Sequence, residues 1–412
     1  EQAQKEDDWR EVWRLARIIA STGRGPRRRR FLAPSADPPT LEDWDSYLTT
    51  TDGNFCCEPG EVAEGPLYDS PPRHGPLDPG TTFLGAKNFF RACDKLQRNR
   101  KGPKWAFPAE AVRILTDDTR APLERQQGPP SRPKVGRILL RMAEHVAEVG
   151  HAPQEMADGM AIGVDKHNGK SKCAGQRPVS MIEPVGKAIT TCANASIPVN
   201  QESIQAGFTK NASVREPLLC TTSIAERLVK AGKGWLASFH DVATAFPSID
   251  WEKLFCLLIG LRGPIGAAEF LENLHRRSKV HMVSQGSTDV LIRRRRRGVR
   301  EGCVAGPGLF VRGYTEPIRK WRQMMREHPI GKRLETAWNG ITYHQDVNMF
   351  ADDLGQLAQV DSLDEAREWD QLTIRMLVEC LAEWDMKLNT GKKESILRLV
   401  GPGSSHQMRQ AY

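Results

Sequence analysis

The stretch VNMFADDLGQLAQV, residues 347–360, holds two adjacent aspartates, Asp352 and Asp353, in an otherwise apolar run. The longer segment TYHQDVNMFADDLGQLAQV predicts a β-hairpin whose turn lies at Ala351–Leu354. Adjacent carboxylates repel each other, and a carboxylate in apolar surroundings loses hydration energy. The pair therefore indicates either an ordinary exposed turn rich in Asp, which is common, or a site that binds a cation.

A third carboxylate, Asp241, stands at a similar position, because it ends the strand-like part of GWLASFHDVATAF at 234–246. A strand end packed against a hairpin tip would bring Asp241, Asp352 and Asp353 together, and we predict that these three aspartates bind metal. Divalent cations remove the penalty of placing three anions together, and oxygen ligands favour Mg²⁺, with Mn²⁺ as a substitute. Two such ions about 3.5–4 Å apart support phosphoryl transfer. His240 should point to the opposite strand face, which predicts a structural role.

The charge of the chain indicates a nucleic-acid partner. The 412 residues carry a net charge of +8, and arginines cluster at 27–30 and at 293–297. Such clusters suit phosphate backbones. We interpret the first run as a solvated face or a nuclear-import signal, and we predict phosphate contacts for the second. The second run consists of Arg293, Arg294, Arg295, Arg296 and Arg297.

The sequence lacks the patterns of a membrane or secreted protein. No apolar run approaches the roughly 20 residues that span a bilayer, and the N-terminus EQAQKEDDWR has no signal-peptide pattern. Nine cysteines without a CxxC pair are typical of a reducing compartment. We therefore expect an intracellular protein, nuclear or cytoplasmic. Because there is no initiator Met, we also expect the chain to be part of a longer one.

Length and composition predict two or three domains with loose segments, since only 39% of the residues are hydrophobic. We expect residues 1–150 to form an N-terminal extension, partly disordered, with a Pro/Gly-rich linker at 57–82. Helical patterns in this part fall at 5–20, around 85–98 and at 134–149. From about residue 155 strand and helix patterns alternate, which predicts an α/β fold.

Local signals predict several elements of this second part. Ser248 is expected to cap the helix IDWEKLFCLLIGL, with Asp250 in its first turn. KVHMVSQGSTDVLIRRR predicts a hairpin whose strands are joined by SQGS. SLDE at 362–365 is a capping box that opens a further helix. The predicted core stripe of that helix is Trp369, Leu372, Met376, Cys380 and Trp384.

A series of blocks between about residues 150 and 402 resembles reverse transcriptases of the non-LTR (LINE-type) retrotransposon kind, in the order that this family shows. The blocks are GHAPQEMADGMAIGVDKHNGKSKCAGQRPVSM in the fingers, EPVGKAIT, IQAGFTKNAS, FHDVATAFPSI as motif A, RRGVREGCVAGPGLF as motif B, FADD as motif C and WDMKLNTGKKES as motif D. The resemblance implies an RNA-directed DNA polymerase that adds dNTPs to a primer 3′-hydroxyl by a two-metal mechanism. Its template would be RNA and its primer DNA.

The resemblance also implies roles for side chains in other blocks. Lys166 and Arg177 fall on basic positions that bind the incoming triphosphate. Phe246 falls on the aromatic position whose ring leaves no room for a 2′-hydroxyl. Gly302 falls on a motif B glycine, and Glu301 stands beside it near the contact of template and dNTP. Taken alone, Phe246 would be typical of a core residue and Lys166 of surface charge, so the blocks carry these assignments.

In motif D, Lys392 falls where a positioned lysine would protonate the departing pyrophosphate as a general acid. The chain also departs from the usual residues of the family. Glu301 stands in place of Gln, Gly306 in place of Ser, Pro247 in place of Asp and Asp385 in place of Gly.

These signals together predict an α/β (α+β) right-hand polymerase, with an antiparallel palm sheet that has helices on one face. The thumb would be largely absent. The expected boundaries are a reverse transcriptase domain at 151–402, fingers at about 150–235 and 260–300, palm at about 236–260 and 300–400, and a truncated tail at 403–412. Two alternatives stay open: a catalytically decayed or domesticated copy that only binds nucleic acid, and a reverse transcriptase of the group II intron type.

Overall fold

The computed structural model of the protein divides into two compact units. The described residues are 38–51, 83–98, 100, 102–117, 134–166, 170–200, 204–209, 212–284, 289–300, 302–328, 334–338, 341–344 and 346–411. The first unit comprises Glu1–Ile197, Arg262–Arg296 and Arg300–Ala305, and the second comprises Pro198–Leu261, Arg297–Val299 and Gly306–Tyr412. Residues 198–235, expected in the fingers, therefore group with the second unit.

Helices and strands alternate along the described residues, which confirms the mixed fold. The helices are α1 (Leu41–Ser46), α2 (Ala86–Asp94), α3 (Ala109–Thr116), α4 (Lys134–Val149), α5 (Gln154–Ala157), α6 (Pro184–Ser196), α7 (Arg215–Lys230), α8 (Ala245–Ser248), α9 (Trp251–Gly260), α10 (Ile265–Arg277), α11 (Gly306–Glu327), α12 (Leu363–Ala382) and α13 (Ser404–Ala411). The strands are β1 (Gly159–Asp165), β2 (Gln176–Ile182), β3 (Trp235–His240), β4 (Val242–Ala243), β5 (Lys279–Val283), β6 (Val290–Arg294), β7 (Glu335–Trp338), β8 (Ile341–His344), β9 (Val347–Phe350), β10 (Asp353–Gln359), β11 (Lys387–Leu388) and β12 (Glu394–Arg398).

The first unit contains a sheet of order β2-β1-β5-β6. β1 pairs antiparallel with β2 and parallel with β5, while β5 and β6 form the predicted antiparallel hairpin. Helix α1, from the predicted N-terminal extension, lies against this sheet. Trp44 of this helix and Leu48, which follows it, form a buried hydrophobic cluster with Ala161, Val280 and Met282 of the sheet. Part of the extension is therefore a component of the hydrophobic core of the first unit.

The predicted antiparallel sheet is confirmed in the second unit. Its order is β12-β3-β10-β9, and β3 pairs antiparallel with both β10 and β12. β10 also pairs antiparallel with β9. The five consecutive residues 354–358 of β10 are all buried, so this strand is covered on both faces.

The prediction of helices on one face of this sheet is wrong. On one face, Ile224 and Leu228 of α7 pack against Ala237 and Leu357. On the other face, Ser238 donates a hydrogen bond of 2.9 Å to Asp370 of α12. Side chains on both faces of β3 thus contact helices. This agrees with the sequence of β3, whose apolar residues occur on both faces of the strand.

The start of α9 differs from the expectation in its capping residue. The carboxylate of Asp250 accepts a hydrogen bond of 2.8 Å from the Lys253 amide, so Asp250 is the N-cap. Ser248 belongs to the preceding helix α8, where its hydroxyl donates to the Ala245 carbonyl at 3.0 Å. A residue inside one helical turn cannot also adopt the extended backbone of the next helix's cap, which explains the shift.

The start of α12 agrees with the predicted cap. The Ser362 hydroxyl accepts a hydrogen bond from the Glu365 amide at 3.2 Å. The Glu365 carboxylate accepts from the Asp361 amide instead of the Ser362 amide, so the box closes one residue earlier. In the predicted core stripe of this helix, the residues that are buried are Trp369, Leu372 and Cys380, while Met376 and Trp384 are partly buried.

The remaining predicted elements lie in the first 150 residues of the chain. The helix predicted at 134–149 is confirmed as α4, and the one around 85–98 is confirmed as α2. The predicted helix at 5–20, the linker at 57–82 and the arginines at 27–30 lie outside the described residues. In the described part of the chain, no helix is both long enough and apolar enough to cross a bilayer.

Candidate active site

Strand pairing brings two of the predicted metal ligands to one end of the sheet in the second unit. β3 and β10 pair with His240 opposite Leu354. One further step along this register sets Asp241 opposite Asp353, just where the ladder ends. Burial raises the pKa of the Asp353 carboxyl, and the negative charge of Asp241 raises it further, while Lys392 lowers it. The two carboxylates are therefore near enough to repel each other.

Tyr314 of α11 contacts the turn that carries Asp352. Its side chain is fully buried, and its hydroxyl donates to the Asp352 carbonyl oxygen at 3.4 Å. Burial raises the pKa of the Tyr314 hydroxyl, and the charges of Asp352, Asp353 and Asp241 each raise it further. The hydrogen bond to Asp352 places the Tyr314 hydroxyl at the turn of the β9–β10 hairpin, beside the end of the β3–β10 ladder.

Asp241 is held by residues of motif D. Its carboxylate accepts a hydrogen bond of 2.8 Å from the side-chain amide of Asn389, and its backbone carbonyl accepts one of 2.8 Å from the Asn389 amide. The pairing of β4 with β11 fixes this geometry, since Leu388 lies opposite Val242. The ammonium group of Lys392 lies 3.0 Å from the same carboxylate. Asp241 therefore has both a fixed donor and a counter-ion.

The three carboxylates fit a divalent cation by their donor chemistry, because hard cations take carboxylate oxygens as ligands. Within the ranges that the structure describes, no three His, Cys, Asp or Glu side chains are already arranged to hold a metal ion. The Lys392 ammonium lies 3.0 Å from the Asp241 carboxylate. Lys392 is 66% exposed whereas Asp241 is 17% exposed, so the lysine can move into solvent when an ion binds.

Phe246 belongs to a row of aromatic rings in the second unit. It stacks on Phe310 with ring centroids 4.5 Å apart and an interplanar angle of 10°. Phe310 in turn stacks on Tyr314 at 5.2 Å, and Phe208 meets Phe246 edge to face at 5.9 Å. Phe246 is partly exposed and Phe208 is 53% exposed. The row thus connects the aspartates with an open aromatic surface.

Residues 297–299 of motif B bind to the turn that carries Phe246. The Val299 amide donates to the Phe246 carbonyl at 2.8 Å, and the Gly298 amide donates to the Ile249 carbonyl at 2.8 Å. The indole N–H of Trp251 donates to the Gly298 carbonyl at 2.7 Å. These bonds fix the backbone of α8 at Phe246 and just after the helix at Ile249, so the position of the Phe246 ring is set by backbone contacts as well as by stacking.

The other predicted nucleotide contacts lie in the first unit. Arg177 is exposed and stands opposite Val164 in the β1–β2 hairpin, and Lys166 follows the end of β1. Both basic residues are therefore at the same end of this hairpin. The Lys166 amide donates to the Gly175 carbonyl at 2.7 Å, which closes the hairpin there.

Gly302, also in the first unit, requires glycine for two reasons. Its φ is +94°, and a Cβ at this position would overlap with the Ser180 carbonyl of β2. Motif B is thereby held against the strand that carries Arg177. Glu301, which was predicted to lie beside it, is outside the described residues.

The five arginines of the second run do not form one exposed surface. Arg293 donates two hydrogen bonds of 2.7 Å to the Asp45 carboxylate, and Arg295 is only 3% exposed. Arg297 lies 3.5 Å from Asp385. Arg296 is exposed and Arg294 is partly exposed, so both are accessible to a phosphate.

Asp385 itself explains one departure from the family pattern. Its φ is +57°, a left-handed backbone conformation that glycine adopts most easily. Asp is among the few other residues that tolerate this conformation, and here its carboxylate lies 3.5 Å from the Arg297 guanidinium. The chain therefore keeps the backbone that the usual glycine would provide.

Sequence reasoning missed Tyr314 and Asn389, and it gave no role to Gln205. Tyr314 sits among the apolar residues of α11 and has the pattern of a core residue. Asn389 was visible only as part of the motif D block. Strand β11, which carries Asn389 to Asp241, is two residues long and has no periodic signal.

Comparison with protein families confirms the resemblance to reverse transcriptases in general. The family model described as "Reverse transcriptase (RNA-dependent DNA polymerase)" matches residues 164–409. A comparison with curated proteins finds no match. Because the matched region is more than half of the chain, the chain belongs to the reverse transcriptase family. It is thus an RNA-directed DNA polymerase by class, a nucleotidyltransferase whose family binds a nucleic-acid template and primer and uses divalent metal ions.

Proposed function

We propose that this chain is the reverse transcriptase of a non-LTR retroelement and that it joins dNTPs to a primer 3′-hydroxyl with two Mg²⁺ ions. One observation carries the proposal: the β3–β10 ladder ends with His240 opposite Leu354, so the next residues of the two strands, Asp241 and Asp353, follow at the same end of the sheet, next to the turn that holds Asp352. The RRGVREGC segment of motif B supports the non-LTR type over the group II intron type.

The three aspartates are the proposed metal ligands. Ions bound there would activate the attacking hydroxyl and stabilise the leaving oxygen. Asn389 orients the Asp241 carboxylate through its 2.8 Å hydrogen bond. The Lys392 ammonium lies 3.0 Å from the Asp241 carboxylate, and Lys392 is the proposed general acid for pyrophosphate.

Selection of dNTPs is assigned to Phe246. The ring is stacked on Phe310 and its backbone is bound by Val299, so it cannot easily turn aside for a 2′-hydroxyl. Lys166 and Arg177 are proposed to neutralise the triphosphate, since both lie at one end of the β1–β2 hairpin and Arg offers a bidentate fork.

The proposed nucleic-acid partners are an RNA template, which is the element's own transcript, and a DNA primer at a nick. The formal charge of +8 supports binding to phosphate backbones. Arg294 and Arg296 are proposed phosphate contacts of the second arginine run, because Arg296 is exposed and Arg294 is partly exposed.

Primer extension tests this function. The wild-type protein, given an RNA template, a DNA primer, dNTPs and Mg²⁺, should extend the primer, and Asp352→Ala should abolish extension. Asp364→Ala is the matched control, because the Asp364 side chain is 97% exposed in the first turn of α12. A wild-type protein that binds primer–template tightly and never extends it contradicts the proposal and favours a copy that only binds nucleic acid.

The retroelement role needs a separate assay. A pre-nicked DNA duplex should serve as primer when its 3′ end meets the RNA, giving cDNA joined covalently to the duplex. Efficient extension of annealed primers without any extension from the nick would contradict target-primed synthesis and leave the polymerase activity standing.

A further inference from the structure

The turn that carries Asp352 has an unusual backbone. β9 ends at Phe350 and β10 begins at Asp353, so Ala351 and Asp352 alone form the turn. Ala351 has a φ of +59°, in the left-handed region that L residues other than glycine seldom adopt. The direction of the Asp352 side chain depends on this backbone, because Asp352 is the next residue. Some other part of the protein must therefore hold Ala351 in place.

Gln205 makes the contacts that do so. Its side-chain NH₂ donates to the Ala351 carbonyl at 2.9 Å, and its side-chain oxygen accepts from the Ala351 amide at 2.9 Å. The same oxygen also accepts from the Gly207 amide at 2.7 Å. Gln205 is 3% exposed, so water does not compete for these bonds. A single amide thus binds both backbone groups of the left-handed residue.

The chain around Gln205 fits against the hairpin without space to spare. The Ala206 amide donates to the Met349 carbonyl at 2.9 Å, and the Met349 amide donates to the Ile204 carbonyl at 2.9 Å. A Cβ at position 207 would overlap with the Ala351 backbone nitrogen, so only glycine permits this approach. The IQAG part of the IQAGFTKNAS block is therefore built around this turn.

We propose that Gln205 is a positioning residue for catalysis: it holds Ala351 in the left-handed conformation and thereby directs Asp352 toward the metal ions. Gln205 has no contact with nucleotide or metal in this role, and it acts through Ala351 alone. The proposal rests on the proposed function, since it needs Asp352 to be a metal ligand.

The main test is Gln205→Met, which keeps the length of the side chain and removes all three hydrogen bonds. A misplaced ligand should lower kcat roughly tenfold to a hundredfold and raise the Mg²⁺ concentration for half-maximal rate. The Kd for primer–template should stay within about twofold, because no nucleic-acid contact is lost. Gln323→Met is the matched control, since Gln323 is an exposed residue of α11.

Rescue separates positioning from general stability. Glycine at position 351 adopts positive φ without help, so Ala351→Gly in the Gln205→Met protein should restore most of the lost kcat and the lower Mg²⁺ requirement. If Gln205 only held residues 204–209 against the hairpin, Ala351→Gly would not restore activity, because it restores none of the lost hydrogen bonds.

Gln205→Glu provides a second variant in case Gln205→Met does not fold. It keeps the acceptor oxygen and loses the donor to the Ala351 carbonyl. Its added negative charge would attract Mg²⁺, so a higher Mg²⁺ requirement in this variant must come from the turn. Ala351→Gly should again reverse it.

The outcomes are distinct. A raised Mg²⁺ requirement that Ala351→Gly reverses supports the proposal. If the wild-type protein extends primers and a folded Gln205 variant matches its kcat and Mg²⁺ dependence, or shows losses that Ala351→Gly does not reverse, the positioning role is overturned and the proposed function stands. If the wild-type protein never extends primers, the proposed function fails, and the positioning role fails with it.

Discussion

Replacing Asn389 with Ala should slow catalysis without unfolding the protein. The variant loses the 2.8 Å hydrogen bond from the side-chain amide to the Asp241 carboxylate, but it keeps the backbone bond between the same residues. The short pairing of β4 with β11 is also unaffected, since it involves backbone groups only. Asp241 therefore keeps its place and loses the donor that fixes its orientation.

The size of the effect follows from the charge and exposure of the acceptor. A hydrogen bond to a charged group contributes about 1.5–3 kcal/mol. Asp241 is 17% exposed, so water replaces part of the lost bond and the lower end of this range applies. A cost of about 1.5 kcal/mol in the transition state corresponds to a rate roughly tenfold lower.

Single-turnover incorporation of one dNTP measures this rate directly, at saturating primer–template and nucleotide. Asn348→Ala is the matched control, because Asn348 lies in the same sheet and its side-chain amide donates to the Thr221 hydroxyl at 2.6 Å instead of to a carboxylate. The control loses a hydrogen bond of similar geometry and should keep a rate close to that of the wild type. An Asn389→Ala rate within twofold of the wild type would refute the role of Asn389 in orienting Asp241.

Three further predictions concern substrate, nucleic acid and pH. Phe246→Ala should admit rNTPs, measured as the ratio of kcat/KM for dNTP and rNTP, and an unchanged ratio would remove Phe246 from sugar selection. Arg296→Ala should weaken primer–template binding and lower the slope of log Kd against log salt by about one. Arg295→Ala should mainly lower thermal stability, because Arg295 is buried. Equal effects of the two variants on primer–template binding would contradict these different roles. Burial lowers the pKa of His275 from 6.5 to about 3, so the unfolded chain takes up a proton below pH 6.5 while the folded protein does not, and stability is lost as pH falls from 6.5 toward 3. In urea unfolding, the free energy of unfolding of the His275→Leu variant should fall less steeply with decreasing pH than that of the wild type, by about 1.4 kcal/mol per pH unit between pH 6 and 4. Parallel pH profiles of the two proteins would contradict the assignment.

Much of the candidate site was predictable because it depends on strand pattern and on motif order. The alternation around Asp352 and Asp353 predicted the hairpin, and the strand before Asp241 predicted a second acidic strand end. Both signals come from local periodicity, which a sequence displays directly. The turn itself was placed too long, since it consists of Ala351 and Asp352 alone.

The supporting residues were less accessible to sequence reasoning. Gln205 and Ala351 are 146 positions apart, and a hydrogen bond between them leaves no mark on the local pattern of either segment. Tyr314 resembles any buried aromatic residue of an amphipathic helix. Such roles follow from tertiary contacts, which propensity and periodicity do not encode.

The sequence shows how many charged side chains the chain has, but their contacts in the folded protein were not predictable. A run of five arginines indicated phosphate binding, yet Asp45 binds Arg293 and the protein interior takes up Arg295. Lys392 was expected to protonate the leaving pyrophosphate, and its ammonium group lies 3.0 Å from the Asp241 carboxylate. A sequence shows which charges exist, whereas their partners depend on segments that are distant along the chain.

The prediction that helices cover one face of the sheet in the second unit was wrong for a related reason. The antiparallel sheet was predicted to have helices on one face, but Ser238, on the face opposite Ala237, hydrogen-bonds Asp370 of α12. A polar residue that hydrogen-bonds a helix has the same signature as one that faces water.

The most direct measurement of the central claim is the position of bound Mn²⁺ in crystals of the protein with primer–template, found by anomalous scattering. The account predicts peaks within coordination distance of the carboxylate oxygens of Asp241, Asp352 and Asp353, with Lys392 displaced from Asp241. Manganese bound elsewhere, or a site that leaves Asp241 paired with Lys392, would contradict it.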